Sequence, residues 1–177
     1  MKIGIFVGTF NPVHKGHIYL VRELIKNAYC DKVFIVPTGA YWDKQDIVPL
    51  KHRINMLKFY ETEEIIIDTV NNQQEYTYQI MDIYHQKYPQ DIIKLIIGAD
   101  NLKRFNEWKN YQKILDYGVI VISRDKINCQ NMFKNVDIAA ISEYNISSTE
   151  VRHDKEKQKK YLDKKVLKYI KDNSLYD

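Results

Sequence analysis

Ile3-Gly4-Ile5-Phe6-Val7 followed by Gly8-Thr9-Phe10-Asn11-Pro12-Val13-His14-Lys15-Gly16-His17 is the stretch whose reading decides the fold. The apolar run is too short to cross a membrane and rich in β-formers, which predicts a buried strand. From about Gly16 the period changes: Ile18, Val21, Leu24, Ile25 and Ala28 recur at helical spacing. Strand, Gly/Pro turn and helix make half of a βαβ unit.

A turn in that position faces a crevice with free backbone N–H groups and the positive end of a helix dipole, so anions collect there. On a helix opened by Gly16 and His17, both His14 and His17 point at the crevice. Each imidazole can donate a hydrogen bond to a phosphate oxygen even when neutral. Gly8 and Gly16 suit close approach of backbone to ligand, and Gly8 can take φ > 0 without strain. Asn11-Pro12 restricts the turn. A solvated histidine at a helix start is the ordinary alternative, but two at this spacing beside two glycines favour a phosphate site. Neither G-x-x-x-x-G-K-[ST] nor G-x-G-x-x-G is present.

The 177 residues suit one domain, 1–177, with a sizeable core, and 45% hydrophobic with 28% charged residues is ordinary for a globular protein. No apolar run reaches transmembrane length and the chain opens directly into a strand, so a cytoplasmic location is expected. Cys30 and Cys129 lack metal-ligand spacing and read as reduced thiols. A net charge of +4 suits anionic small molecules without singling them out.

Along the chain, strands are expected at 32–36, 64–68, 94–97, 119–122 and 137–141. A helix should follow Pro49 with Leu50, Ile54, Leu57 and Met56 as its apolar stripe, leaving Arg53 off the stripe, facing solvent or a ligand phosphate. Thr77 is the expected N-cap of a helix ending before Pro89. Gly98-Ala99-Asp100 closes a strand with room for a ligand and a carboxylate for ribose hydroxyls, or forms a turn into the next helix. That helix is expected from about Leu102 to Tyr117, closed by Gly118. Arg124 stands at a strand end, a position from which a side chain can contact phosphate. Residues 125–136 read as a loop. Ser147 and Glu150 have capping-box spacing, so a helix should start there with Arg152 one turn in. Beyond it Leu162, Val166, Leu167 and Ile170 keep helical spacing, and the many lysines are its solvated face rather than a nucleic-acid arm.

Alternating strands and helices predict an α/β fold: a Rossmann-like parallel sheet with helices on both faces, and ligands beyond the carboxyl ends of its strands.

Gly8 to His17 satisfies G-[ST]-F-[DN]-P-x-H-x-G-H and so resembles the signature of the HxGH nucleotidylyltransferase superfamily. Ile97-Gly98-Ala99-Asp100 with Trp108, Tyr76-Thr77, Ile146-Ser147-Ser148-Thr149-Glu150-Val151-Arg152 and the Leu175-Tyr176 end are similar to motifs of its bacterial nicotinate mononucleotide adenylyltransferase branch. The resemblance implies transfer of AMP from ATP to nicotinate mononucleotide, giving deamido-NAD and pyrophosphate in NAD biosynthesis. It puts Gly8, Thr9, Phe10, His14, His17, Gly98, Asp100, Ser147, Ser148 and Arg152 on the ATP side, with His14, His17 and Arg152 catalytic. Lys44, Thr77 and Trp108 would hold the acceptor. Mg²⁺ would ride on the ATP phosphates, since no protein cage for it is visible.

Two departures fall on the acceptor side. Tyr41-Trp42-Asp43-Lys44 stands where the branch often has P-P-H-K, and Asn and Gln stand where it has an arginine before S-Y-T. Nicotinamide mononucleotide or another phosphate acceptor therefore stays open. From other classes, a non-catalytic nucleotide-binding regulator would keep the pocket without turnover. A metal hydrolase would need a third ligand beside His14 and His17.

Overall fold

The computed structural model describes residues 1–39, 46–123, 133–142 and 146–176. Short runs rich in Val and Ile pair with their like, the central ones buried on both faces, and six of them form one all-parallel sheet. They are β1 (Lys2–Gly8), β2 (Lys32–Pro37), β3 (Ile65–Ile67), β4 (Ile92–Gly98), β5 (Val119–Ser123) and β6 (Val136–Ala140). Their order, β3-β2-β1-β4-β5-β6, reverses direction between β1 and β4, which opens a crevice at the carboxyl ends of those two strands.

Helices cover both faces. On one side α1 (Lys15–Lys26) and α2 (Leu50–Lys58) bury Ile18, Val21, Leu24, Met56 and Leu57. On the other, α3 (Thr77–Lys87) buries Ile80, Met81 and Tyr84 against Ile3, Ile5 and Leu95. Strand alternation divides β1 between the two cores.

The expected helix from Leu102 to Tyr117 is three pieces: α4 (Ala99–Leu102), a 3₁₀ turn (Phe105–Glu107) and α5 (Tyr111–Tyr117). Phe105 is fully buried, with the Trp108, Tyr111 and Phe133 rings 5.2, 6.1 and 5.8 Å from it. Packing those rings breaks the regular path, with Trp108 extended and Asn110 left-handed at φ 53. Gly118 closes α5 as expected, at φ 109.

The C-terminal segment is likewise divided, into α6 (Ser148–His153), α7 (Lys155–Tyr161) and α8 (Lys164–Asp172). Leu162 takes extended backbone between α7 and α8 and is buried in the same core as Val166 and Ile170. Thr77 is the first helical residue of α3 rather than its cap. The cap is Tyr76, whose N–H donates to Gln79 Oε1 at 2.9 Å. Ala28 lies beyond α1 at φ 58.

Cys30 is free and buried, and burial pushes its thiol up to about 12. Cys129 lies outside the described residues. Among the described residues no helix is long and apolar enough to cross a membrane.

Candidate active site

The β1–α1 turn lies at the sheet's reversal. Its left-handed residue is Phe10, at φ 48, so the freedom of Gly8 to take a positive φ is not used. Gly8 serves by lacking a side chain: a Cβ there would stand 3.0 Å from Phe10 Cζ. The buried Phe10 ring meets Phe6 and His17 edge-on, with centroids 5.3 and 5.1 Å away.

Helix α1 opens at Lys15, one residue earlier than expected, with His14 as N-cap. The His14 backbone N–H donates to His17 Nδ1 at 3.2 Å, and the two rings stack at 3.7 Å and 24°. A nitrogen that accepts carries no proton, so the hydrogen of neutral His17 resides on Nε2. Burial lowers His14 to about 4, and burial plus the neighbouring His14 holds His17 well below 6.5. The pair is therefore neutral at pH 7, with the buried Nδ1 of His14 lacking a partner among the described residues.

The second turn has the expected cap. Ser147 Oγ accepts from the Glu150 N–H at 3.2 Å, while Glu150 Oε2 accepts from the Ser147 N–H at 3.0 Å. Ser148 Oγ then donates to the Pro12 carbonyl at 3.0 Å, and Arg152 Nη1 to the Asn11 carbonyl at 2.7 Å. Two turns more than 130 residues apart in sequence are thus tied together directly. Arg152 Nε is buried without a partner among the described residues.

Arg53 contradicts the sequence reading. It is 2% exposed, with Nη1 donating to the carbonyls of Thr9 (2.8 Å) and Thr38 (2.6 Å) and Nε to that of Val48 (3.1 Å). The buried face of α2 is Arg53, Met56 and Leu57, rotated from the expected stripe. Spacing could have found it, since 53, 56, 57 and the buried Tyr60 fall at i, i+3, i+4 and i+7. Burial lowers the pKa of this guanidinium. Its carbonyl acceptors join the ends of β1 and β2 to the entry of α2. Asn11, 2% exposed, is a second residue whose connections sequence reasoning missed.

Thr77, Asp100 and Trp108 line one cleft of about 680 Å³ between the start of α3 and the 3₁₀ turn. Asp100 is thereby grouped with Thr77 and Trp108. Its fully exposed side chain pairs with Lys103 at 3.6 Å. Gly98 caps α4 in extended conformation. The half-buried Trp108 leaves ring surface for stacking, and Arg104, in the same cleft, forks onto Glu107 at 2.7 and 3.0 Å. Lys44, the rest of the Tyr41–Lys44 cluster, and Arg124 lie outside the described residues.

Among the described residues no group of three His, Cys, Asp or Glu side chains could hold a metal ion. The turns offer neutral imidazoles, hydroxyls, a guanidinium and backbone N–H groups. Such donors bind and stabilise phosphate charge, and the tied turns present no paired carboxylates for general acid–base work.

Residues 5–154 match the family described as cytidylyltransferase-like. The nicotinate-nucleotide adenylyltransferase of Bacillus subtilis is 31% identical over 188 residues, covering 99% of this chain and 98% of its own. A Borrelia hermsii protein named "Probable nicotinate-nucleotide adenylyltransferase" is 35% identical with the same coverage. Among solved structures, Plasmodium falciparum nicotinic acid mononucleotide adenylyltransferase complexed with NaAD is similar at TM-score 0.83 and 20% identity, covering 99% of this chain and 97% of that one. That likeness extends over the whole Rossmann-like fold.

Proposed function

The chain belongs to the cytidylyltransferase-like family, and from that premise we propose that it is the adenylyltransferase joining ATP to nicotinate mononucleotide. A phosphate oxygen of the mononucleotide attacks the α-phosphorus of ATP, and the bond from that phosphorus to the β-bridging oxygen breaks. The products are deamido-NAD and pyrophosphate, on the route to NAD. The curated relatives named nicotinate-nucleotide adenylyltransferase, matched over nearly their whole length, support this acceptor.

The observation that carries the proposal is the tie between the two turns, Ser148 to Pro12 and Arg152 to Asn11, at the reversal between β1 and β4. One triphosphate can there receive donors from both. Gly8, Thr9 and Phe10 form its backbone cradle, with Gly98, Ser147 and Ser148 beside it. The His17 Nε2–H and the Arg152 guanidinium meet the charge that grows on the non-bridging and leaving oxygens. His14 orients His17 and offers its own ring. The attacking phosphate is already anionic, so no general base is required, and alignment does most of the work.

Thr77 and Trp108 hold the pyridine nucleotide, Trp108 by stacking, and Lys44 adds a cation on that side. Asp100, bordering the same cleft, accepts from ribose hydroxyls where the two nucleotides meet. Mg²⁺ enters as part of the substrate, on the ATP phosphates. The full 1–177 chain acts as one domain, in the cytoplasm.

Incubation with ATP, Mg²⁺ and either nicotinate or nicotinamide mononucleotide, following pyrophosphate and dinucleotide, tests this. Deamido-NAD formed faster than NAD is the expected result. Nucleotide binding without pyrophosphate release would leave a regulator in its place.

A further inference from the structure

We propose that Tyr176 is a positioning residue for the phosphate-binding turn, acting through the side chain of Asn11. This rests on the adenylyl-transfer reading of that turn.

Asn11 is a junction. Its Oδ1 accepts from the Tyr176 hydroxyl at 2.7 Å and from the Val48 N–H at 3.3 Å. Its Nδ2 donates to the Asp46 carbonyl at 3.0 Å, and its own carbonyl accepts from Arg152 at 2.7 Å. Three distant segments thus converge on a residue that is 2% exposed, two of them on its side chain and one on its carbonyl. An amide buried so deeply keeps its orientation only while its partners hold it. The oxygen end is held by the Val48 N–H at 3.3 Å and by one shorter bond, 2.7 Å, from a hydroxyl. The short one is Tyr176.

The consequence reaches the turn's donors. In a trans peptide the carbonyl and the next N–H point oppositely. Arg53 pins the Thr9 carbonyl and Ser148 the Pro12 carbonyl, which sets the directions of the Phe10 and Val13 N–H groups. Asn11 lies between those two pinned peptides, so rotation of its side chain loosens both. Tyr176 itself is held in place, with left-handed backbone at φ 62 and its ring packed on the core shared by α1, α2 and α8. It also lines a cleft of about 460 Å³ together with Arg152, His153 and Lys155. Burial raises its pKa, so the hydroxyl remains a donor throughout the assay range. The acceptor cleft at Thr77 and Trp108 has neither residue in its lining. The effect of Tyr176 therefore falls on ATP rather than on the mononucleotide.

The test is steady-state kinetics on full-length Tyr176→Phe, which removes one oxygen and keeps the ring. The expected result is a loss of about tenfold in kcat/KM for ATP, with KM for the mononucleotide within about twofold of wild type and little change in melting temperature. In an Asn11→Leu background, Tyr176→Phe should cost nothing further. If Asn11→Leu does not fold, Asn11→Asp keeps the accepting oxygen, and the tenfold loss must persist there. Unchanged kcat/KM for ATP, or equal losses for both substrates alongside a matching fall in melting temperature, overturns the proposal. A wild-type protein that releases no pyrophosphate with any mononucleotide overturns the adenylyl-transfer reading instead. In that case nucleotide binding by Tyr176→Phe, measured calorimetrically, still decides the positioning role: weaker binding supports it and equal binding ends it.

Discussion

The backbone N–H of His14 donates to Nδ1 of His17 at 3.2 Å, so the tautomer of that imidazole is set by the helix cap itself. The Nε2–H is then the hydrogen-bond donor of the neutral ring. His17→Ala removes both that donor and the reciprocal cap. We expect kcat/KM to fall on the order of a hundredfold, about 2.7 kcal/mol of transition-state stabilisation. Pyrophosphate release under saturating acceptor measures it, and near-normal turnover would refute the role.

Acidification should weaken the fold through the same pair. An unfolded histidine titrates near 6.5, whereas folded His14 titrates at about 4. Between those values the unfolded chain binds more protons, so stability rises with pH and is lost as pH falls through that window. The share of His14 reaches about 3 kcal/mol at the acid end. Urea midpoints at pH 7 and pH 4.5 should therefore differ less in His14→Asn than in wild type. Equal differences would mean that His14 is not held neutral.

Arg53 donates to three carbonyls from inside the protein. Arg53→Met leaves the Thr9, Thr38 and Val48 oxygens without that donor and should destabilise by about 3 kcal/mol or more. Arg53→Lys keeps the charge but not the fork and should lose roughly half as much. Denaturant unfolding reads both, and a Met variant as stable as wild type would show that water or rearrangement satisfies the carbonyls.

Trp108 offers its ring to the cleft that also contains Thr77. Trp108→Ala should raise KM for the mononucleotide about tenfold and leave KM for ATP within about twofold. A change confined to ATP would move Trp108 to the other substrate.

Much of this molecule was determined by the sequence alone, wherever the cause is local. Short continuous runs of β-branched residues located the strands, and period-3.6 apolar patterns most helices. The Gly8–His17 turn followed from residues next to one another, and so did the Ser147–Glu150 cap, because a cap is made within four residues. Only the tertiary structure decided what depends on packing between distant parts. Rings gathered around Phe105 break one expected helix, and core burial of Leu162 breaks another. The carbonyls of three separate segments draw Arg53 inside, and the hydroxyl of Tyr176 meets Asn11 across 165 positions of chain. Hydrogen-bonding groups left unpaired by local structure must find partners wherever the fold brings them. Those pairings are set by the shape of the whole molecule, which no short stretch of sequence contains.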